Sequence, residues 1–572
     1  MFNSLNEYLL TKGFKRVAPW GEHKFVFLGE IECTFLKRDV KRLGVMIGFN
    51  ALPMFEKPSL FLTERPAPLD RLCVHIESAS KYHSTDIYPM CILDSEAIQI
   101  DPYQPAGTLE ALLNIASDIL KRSQEQIALE EFEMEFAGYF GPNTFGISKI
   151  TNLESGLLKC FRIHSTSTLP AQFFLSDNHN KKQLNFWLKK LGLKDPSVSE
   201  PYATALIKLN SIDCLPSTPE FNHSSIAPYL NWLKTLGGSC YAQLRKQMTS
   251  SVFRRNIEKN NGSFLILLEV RGEYFGLLCS LKSDFAGRFI NSGSRNFKAL
   301  HNPLVSSVDR ILFEDVGDEQ GVKRNFLESN LIGKNIAVIG CGTLGGYVIS
   351  SLFKAGAGCR GKLTFYDDDK FSIKNTSRHI LGANYFGRNK ASALETYLYE
   401  QGIDRKLDGK AESCPNINDL CDFDIVIDTT GDYAFSIKLN YEYLALQSDN
   451  KPLLYHIALF AGGESSRIFK MGNTGCYRCM DDKSFKRRFP DFKREEDKVA
   501  IKKRCGESYL PFPISASMRA AGLMLSVLLD ELDTPKAQSM LFFEAYSKRV
   551  KDHKNQELVK QIDCPQCDFF RQ

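Results

Sequence analysis

The spacing of apolar and polar positions changes along the chain, and each change marks a different kind of layer. Near the start, HKFVFLG and CVHIESA read as short strands. They are followed by PAGTLEALLNIASDILKR, in which Leu109, Leu112, Leu113, Ala116 and Leu120 fall on one helical face. A second helix over ALEEFEMEFAGYF is expected to close this part at about residue 140. From about 141 to 305 the pattern weakens: SFLILLEVRGEYFGLLCSL reads as a hairpin with Gly272 near its turn, LPSTPEFNHSS reads as loop, and no chemical motif stands out. After about residue 306 strand and helix signals alternate through KNIAVIG, a helix from Thr343, KLTFYD, a helix near Lys390 to Tyr399, and FDIVID. That alternation predicts a parallel, doubly wound sheet. The expected fold class is multidomain α/β: an α+β domain over 1–140, a mixed α/β linker domain over 141–305 and a Rossmann-like domain over 306–572.

Composition changes this picture little. A chain of 572 residues exceeds what one core organises, which agrees with three domains. A net charge of +5 over that length makes no case for nucleic acid. The N-terminal MFNSLNEYLLTKGFKRV has no signal-peptide core and no later run is apolar enough to span a bilayer, so a soluble, cytoplasmic protein without a membrane partner is expected. Its sixteen cysteines should then be reduced, which favours metal ligands, reactive thiols and plain buried residues over disulfides. The charge-dense DDKSFKRRFPDFKREEDKVAIKKR reads mostly as a solvated, mobile loop.

The first chemical signal is IGCGTLGG, where Gly340, Gly342 and Gly345 join a strand to a helix. Glycines there let backbone approach phosphate, and the helix N-terminus offers unpaired N–H groups. Asp367, at the end of the next strand, can accept ribose hydroxyls, a requirement that NAD and ATP share. The stretch DDDKFSIKNTSRHILGANYFGRNK separates the two nucleotides. Asn375, Arg378 and Lys390 add amide, guanidinium and ammonium donors that suit a triphosphate attacked at its α-phosphorus.

Glycine loop, D-x-D, N-x-x-R and a following lysine together resemble the ThiF/MoeB and ubiquitin-activating enzyme superfamily, over roughly Leu331 to Cys567. The resemblance implies adenylation of the C-terminal glycine of a small protein. It puts Gly340, Gly342 and Gly345 against the phosphates, Asp367 on the ribose, Asn375, Arg378 and Lys390 on the triphosphate, and Asp369 among the cofactor-binding residues. Where the family manages magnesium with a carboxylate, this chain reads IDTTGDY, which leaves Asp432 as first choice and Asp428 as second. An arginine donated across a homodimer of this domain would be Arg310 or Arg324.

Two cysteine hooks, Cys476 with Cys479 and Cys564 with Cys567, supply four thiolates for a tetrahedral, structural zinc. Cys505 follows Lys502, Lys503 and Arg504, whose charge favours a thiolate. In the resembling enzymes a cysteine on this crossover stretch, here about 480–510, takes the acyl group as a thioester, and Cys505 holds that place. Cys91 lies between a strand and an amphipathic helix, in an arrangement similar to the active-site region of ubiquitin-conjugating enzymes. Cys73 is the alternative nucleophile. Tyr82-His83 stands where that family has His-Pro-Asn, but Ser84 and Thr85 replace Pro and Asn, leaving His83 or another group to steady the oxyanion. Cys33, Cys160, Cys214, Cys240, Cys279, Cys341, Cys359, Cys414 and Cys421 are assigned to packing.

The order of conjugating-like module, linker and activating module is similar to the E2–E1 fusion proteins of bacterial antiphage CBASS operons. That resemblance implies ATP, magnesium and zinc as cofactors and a cGAS-like nucleotidyltransferase with a C-terminal glycine tail as partner. It also implies adenylation, a thioester on Cys505, transfer to Cys91 and conjugation to a lysine of some target. Rival expectations are a ThiF/MoeB-like sulfur-transfer enzyme, an NAD-dependent dehydrogenase, and a nucleotide-binding scaffold without turnover.

Overall fold

A computed structural model describes the chain apart from Met1 and residues 35–39, 51–57, 65–75, 77–79, 93–100, 102, 123–135, 151–157, 167–170, 210–222, 237, 327–328, 403, 447–450, 483, 485, 494–500, 505–506, 510–511, 563 and 570–572. It divides into two compact units, Met1–Asp315 and Val316–Gln572.

The first unit holds two sheets. In the smaller, six antiparallel strands include Phe25–Thr34, Val40–Phe49, Ser59–Leu62 and Thr85–Met90. Helices Phe2–Thr11 and Pro105–Arg122 cover one face, where Leu109, Leu112, Ala116 and Leu120 meet Phe27, Val45, Ile47 and Leu62. The helical spacing read from these leucines thus corresponds to a buried face, with Leu113 partly buried at its margin. Strand alternation sends Val26, Met46 and Phe61 to a second cluster with Tyr82 on the opposite side.

The larger sheet has eight mixed strands, among them the hairpin Ser263–Val270 and Glu273–Leu281. Arg271 and Gly272 form its two-residue turn at φ 51° and 82°, the left-handed pair that matches strand twist. Only Phe136–Phe140 of the second expected helix is described, and it does not close the first layer. Phe136 and Phe140 stack on each other and sit edge-on to Phe275, so this turn belongs to the core of the larger sheet. An aromatic pair four residues apart follows the largest apolar surface within reach. The expected loop LPSTPEFNHSS falls almost wholly outside the described residues, as does most of CVHIESA.

In the second unit, strands Leu407–Lys410, Leu363–Tyr366, Ile336–Ile339, Ile425–Asp428 and Leu453–Phe460 lie side by side and parallel. Ser465–Lys470, Met540–Ala545 and Gln556–Glu557 extend the sheet antiparallel. Helices Thr343–Lys354, Lys390–Tyr399 and Ile514–Asp533 pack on one face through Ile349, Leu352, Leu394, Met524 and Leu528. Tyr433–Ala445 and the paired cysteine hooks pack on the other through Leu439, Cys476 and Cys564. This is the doubly wound, Rossmann-type arrangement that the alternation predicts. The order reverses direction at Ile336–Ile339, so the crevice between this strand and Ile425–Asp428 is the switch point where such sheets bind ligands.

The described part of the charge-dense stretch around Arg487 to Asp491 departs from a solvated loop. Phe489 is buried, Asp491 pairs with Arg467 at 3.0 Å and Arg487 at 2.7 Å, and Arg488 donates to Cys479 O at 2.8 Å. Opposite charges this close pair with each other, and one buried aromatic pins the segment. Among the described residues no helix is long and apolar enough to cross a membrane.

Candidate active site

The glycine loop leaves the central strand with Gly340 at φ +93°, a left-handed value that disfavours any side chain. Gly345, one helical turn on, packs so tightly that a Cβ there would lie 2.0 Å from Gly340 O and 2.6 Å from Thr429 Oγ1. A Cβ on Gly342 would meet nothing within 4 Å, so this glycine faces open space at the head of the helix. Gly342 is the N-cap of Thr343–Lys354 and provides no side-chain cap, which leaves the first N–H groups of a twelve-residue helix for an anion. Thr429, which the sequence pattern did not single out, locks the loop from below by donating toward Ile339 O and Gly340 O.

Asp367 closes the other side. Its Oδ2 accepts the Cys341 N–H at 2.7 Å and its Oδ1 accepts the Asp369 N–H at 2.9 Å. Lys390 Nζ donates to Asp369 Oδ2 at 2.7 Å and lies 3.7 Å from Asp367 Oδ1. Asn389 caps the Lys390–Tyr399 helix through Ser392 N and donates to the backbone oxygens of Asp367 and Asp369, so one residue fixes both partners of the ion pair. The structure thus joins the glycine loop, through the Cys341 N–H, with Asp367, Asp369 and Lys390 in one network.

Arg378 and Asn375 are reached through His379. Leu381 N–H donates to His379 Nδ1 at 3.0 Å, so the proton sits on Nε2, which donates to Cys341 O at 2.8 Å. Burial lowers the pKa of this imidazole, partly offset by its bond to Cys341 O. Sequence reasoning missed His379, and its place next to Arg378 was the available signal. Arg378 donates to Asn375 Oδ1 at 3.3 Å, lies 4.9 Å from the centre of the Phe512 ring, and keeps a buried Nε without a partner.

The two candidate acids separate clearly. Asp428 is 1 % exposed, and its oxygens accept from Thr430 N and Oγ1, Ser436 Oγ and His456 Nδ1. Burial pushes this carboxyl up, but the donors outweigh it and hold it below the usual carboxylate range. Four donors leave Asp428 no free face for magnesium. Asp432 is exposed and caps Tyr433–Ala445 by accepting from Ala434 N and Phe435 N through Oδ1 alone. The candidate arginines differ as well: Arg310 is buried and donates to Phe140 O at 2.9 Å, whereas Arg324 is exposed.

The four hook cysteines converge. Their Sγ atoms lie 3.8 Å (Cys476–Cys479), 3.7 Å (Cys476–Cys564) and 3.6 Å (Cys479–Cys567) apart, and all four fall within 4.8 Å of one another. A tetrahedron of sulfurs about 2.3 Å from a central zinc has edges of about 3.8 Å, so the donor set fits that ion. The Gln561 N–H donates to Cys479 Sγ at 3.4 Å, the kind of outer bond that steadies a thiolate ligand.

Cys91 is exposed just beyond Thr85–Met90. His83 and Ser84 form the turn at the opposite end of that strand, since Tyr82 pairs with Thr85. The six extended residues of that strand, at about 3.3 Å each, hold the turn and the thiol roughly 20 Å apart. Of the two alternatives left open for the oxyanion, this separation favours a group other than His83. Cys73, Cys214 and Cys505 lie outside the described residues; strands Ile501–Arg504 and Glu507–Tyr509 pair antiparallel on either side of Cys505. Cys33, Cys160, Cys240, Cys279, Cys341 and Cys359 are buried, and Cys414 and Cys421 are half-buried. Burial raises the Cys341 thiol, and it pushes Cys414 up to about 12.

Residues 310–565 match the model of the ThiF family. That match covers just under half of the chain, and together with the relatives below it makes the protein an ATP-using enzyme. Along its length it is similar to the ATP-dependent ubiquitin transferase-like protein Cap2 of Escherichia coli (strain TW11681), 25% identical over 582 residues that cover 94% of this chain and 93% of the relative. The Cap2 protein of Pseudomonas aeruginosa (strain BWHPSA011 / Pa011) is 25% identical over 530 residues, 90% of each chain. The sulfur carrier protein ThiS adenylyltransferase of Escherichia coli (strain K12) is 24% identical over 42% of this chain and 88% of its own.

Proposed function

We propose that the chain uses ATP to activate the C-terminal glycine of a partner protein and passes the acyl group, by way of two thioesters, to an amine. The observation that carries this reading is the joining of glycine loop, Asp367 and Lys390 at the sheet's switch point, in a chain that two Cap2 relatives match over 94% and 90% of its length. The unpaired N–H groups after Gly342 receive phosphate, Asp367 receives the ribose, and Arg378 and Lys390 neutralise charge while the partner's carboxylate attacks the α-phosphorus. An acyl–phosphate bond forms, and pyrophosphate leaves with the electrons of the broken bond. Asp432 would hold the magnesium that shares this neutralisation.

Cys505 thiolate then attacks the acyl carbon and AMP departs. The thiolate of Cys91 displaces that of Cys505, and a lysine amine displaces Cys91, giving up its proton as the amide forms. Carrying both thiols on one chain keeps the second at a high effective concentration for the first. The hook cysteines would hold zinc, whose role is to tie the C-terminal segment to the sheet. The first unit's smaller sheet is read as the conjugating-like module, the adenylation domain as the dimer contact with Arg324 donated across it, and a cGAS-like nucleotidyltransferase as the partner, in antiphage defence.

Incubation of the protein with ATP, magnesium and such a glycine-ended partner should yield AMP, pyrophosphate and a reductant-sensitive adduct. Absence of AMP overturns the reading. The sulfur-transfer alternative also forms AMP but has no use for Cys91, so an adduct pattern unchanged in Cys91→Ala would favour it.

A further inference from the structure

His456 occupies a position that no motif announces. Ile339 is level with Asp428, and Asp428 with His456, across three adjacent parallel strands. His456 therefore lies two strand spacings, roughly 10 Å, from the strand that feeds the glycine loop. It is 4 % exposed, and its Nδ1 meets Asp428 Oδ2 at 2.8 Å. The tautomer that donates from Nδ1 to the Asp428 carboxylate has Nε2 as an acceptor.

That acceptor is buried without a partner. Leaving such a group unsatisfied is costly, and in native folds it commonly marks a site that something else completes. The ring borders a small cavity with Gly431, Ala458, Phe460 and Arg467, and Gly431 at its rim is exposed. Gly431 is also the residue between Thr430 and the capping acid Asp432, so the rim adjoins the proposed magnesium side. An occupant has to donate a hydrogen bond, be slender, and enter past a residue without a side chain. A peptide N–H flanked by glycine Cα atoms meets all three conditions.

Building on the adenylation reading, we propose that His456 is a positioning residue for the acyl substrate: its Nε2 accepts a backbone N–H of the partner's C-terminal glycine segment and so aligns the carboxylate with ATP. Asp428 acts one step back, by fixing the tautomer and tilt of the ring. The narrow cavity accounts for glycine in this segment, since a side chain would collide with Ala458 or Phe460.

The test is ATP–pyrophosphate exchange by the full chain, driven by a synthetic peptide ending in Gly-Gly, with KM measured separately for peptide and ATP. His456→Leu should raise the peptide KM at least tenfold and leave the ATP KM within twofold, while His456→Gln, which restores an oxygen near the Nε2 position, recovers most of the loss. Because His456→Leu strands Asp428 and can unfold the domain, Ala458→Leu provides an independent arm: it narrows the cavity, spares the pair, and should raise the peptide KM alone. An unchanged peptide KM in folded Ala458→Leu and His456→Leu proteins, or equal rises in both KM values, overturns the proposal. A wild-type protein that exchanges nothing overturns adenylation itself, and that failure is visible before any substitution is made.

Discussion

The glycine-loop end of the second unit, where phosphate is proposed to bind, and the thiol end of the smaller sheet are built differently. Around the glycine loop, Asp367 receives two backbone N–H groups, Asp369 holds Lys390, and Asn389 and His379 brace the loops that carry them. Cys91 stands exposed past a strand end, and the histidine nearest in sequence is at the strand's far end. The difference matches the two kinds of chemistry proposed. Attack on a triphosphate depends on charges placed beforehand, so its groups are cross-linked into the fold. A thioester exchange carries much of its reactivity in the sulfur itself.

The comparison breaks most severely at Lys390. Lys390→Ala and Arg378→Ala should each lower ATP–pyrophosphate exchange at least ~100-fold, measured with a glycine-ended partner at saturating ATP. An effect under tenfold in both would remove these side chains from the triphosphate. Next in size is the separation of thiols: Cys505→Ala should abolish the thioester and spare exchange, and Cys91→Ala should retain the first adduct while the conjugate disappears. Electrophoresis with and without reductant reads both.

Metal analysis should find close to one zinc per chain, and chelation should lower the melting temperature by on the order of 10 °C through loss of a structural four-thiolate site. A zinc-free protein of equal stability would leave the sulfur cluster without that role. Asp432→Asn is a finer probe, because asparagine caps a helix as well as aspartate does. Exchange should fall and the magnesium midpoint rise, with melting unchanged; a lower melting temperature with unchanged magnesium dependence would make Asp432 a cap only.

The smallest effect is on pH. Burial lowers the His379 pKa, so as pH falls the unfolded chain takes up that proton first. The stability this histidine contributes is complete above the ordinary histidine range and declines as pH drops below about 6.5. Asp428, held below the usual carboxylate range, adds a second decline that begins only as pH falls through that range. Urea unfolding from pH 7.5 to 5.5 should show the first decline, and His379→Gln should flatten it; an identical slope in both proteins would count against a buried neutral ring.

Much of the site was legible because its parts are local. Gly340 by its left-handed φ and Gly345 by its close packing mark a strand-to-helix turn, Asp367 and Lys390 follow from where the next strand ends and the next helix begins, and two C-x-x-C hooks announce a cluster of four sulfurs by their spacing. Tertiary structure alone decided whatever depended on a partner distant in sequence. It buried Asp428 under four donors and left Asp432 to solvent, though both belong to IDTTGDY. It set His456 beside Asp428, drew Phe136 and Phe140 into the larger sheet's core, and carried His83 away from Cys91. The physical reason is that backbone preference and short-range spacing act through neighbouring residues, whereas burial and hydrogen-bond partners arise only when strands far apart in the chain come to lie side by side.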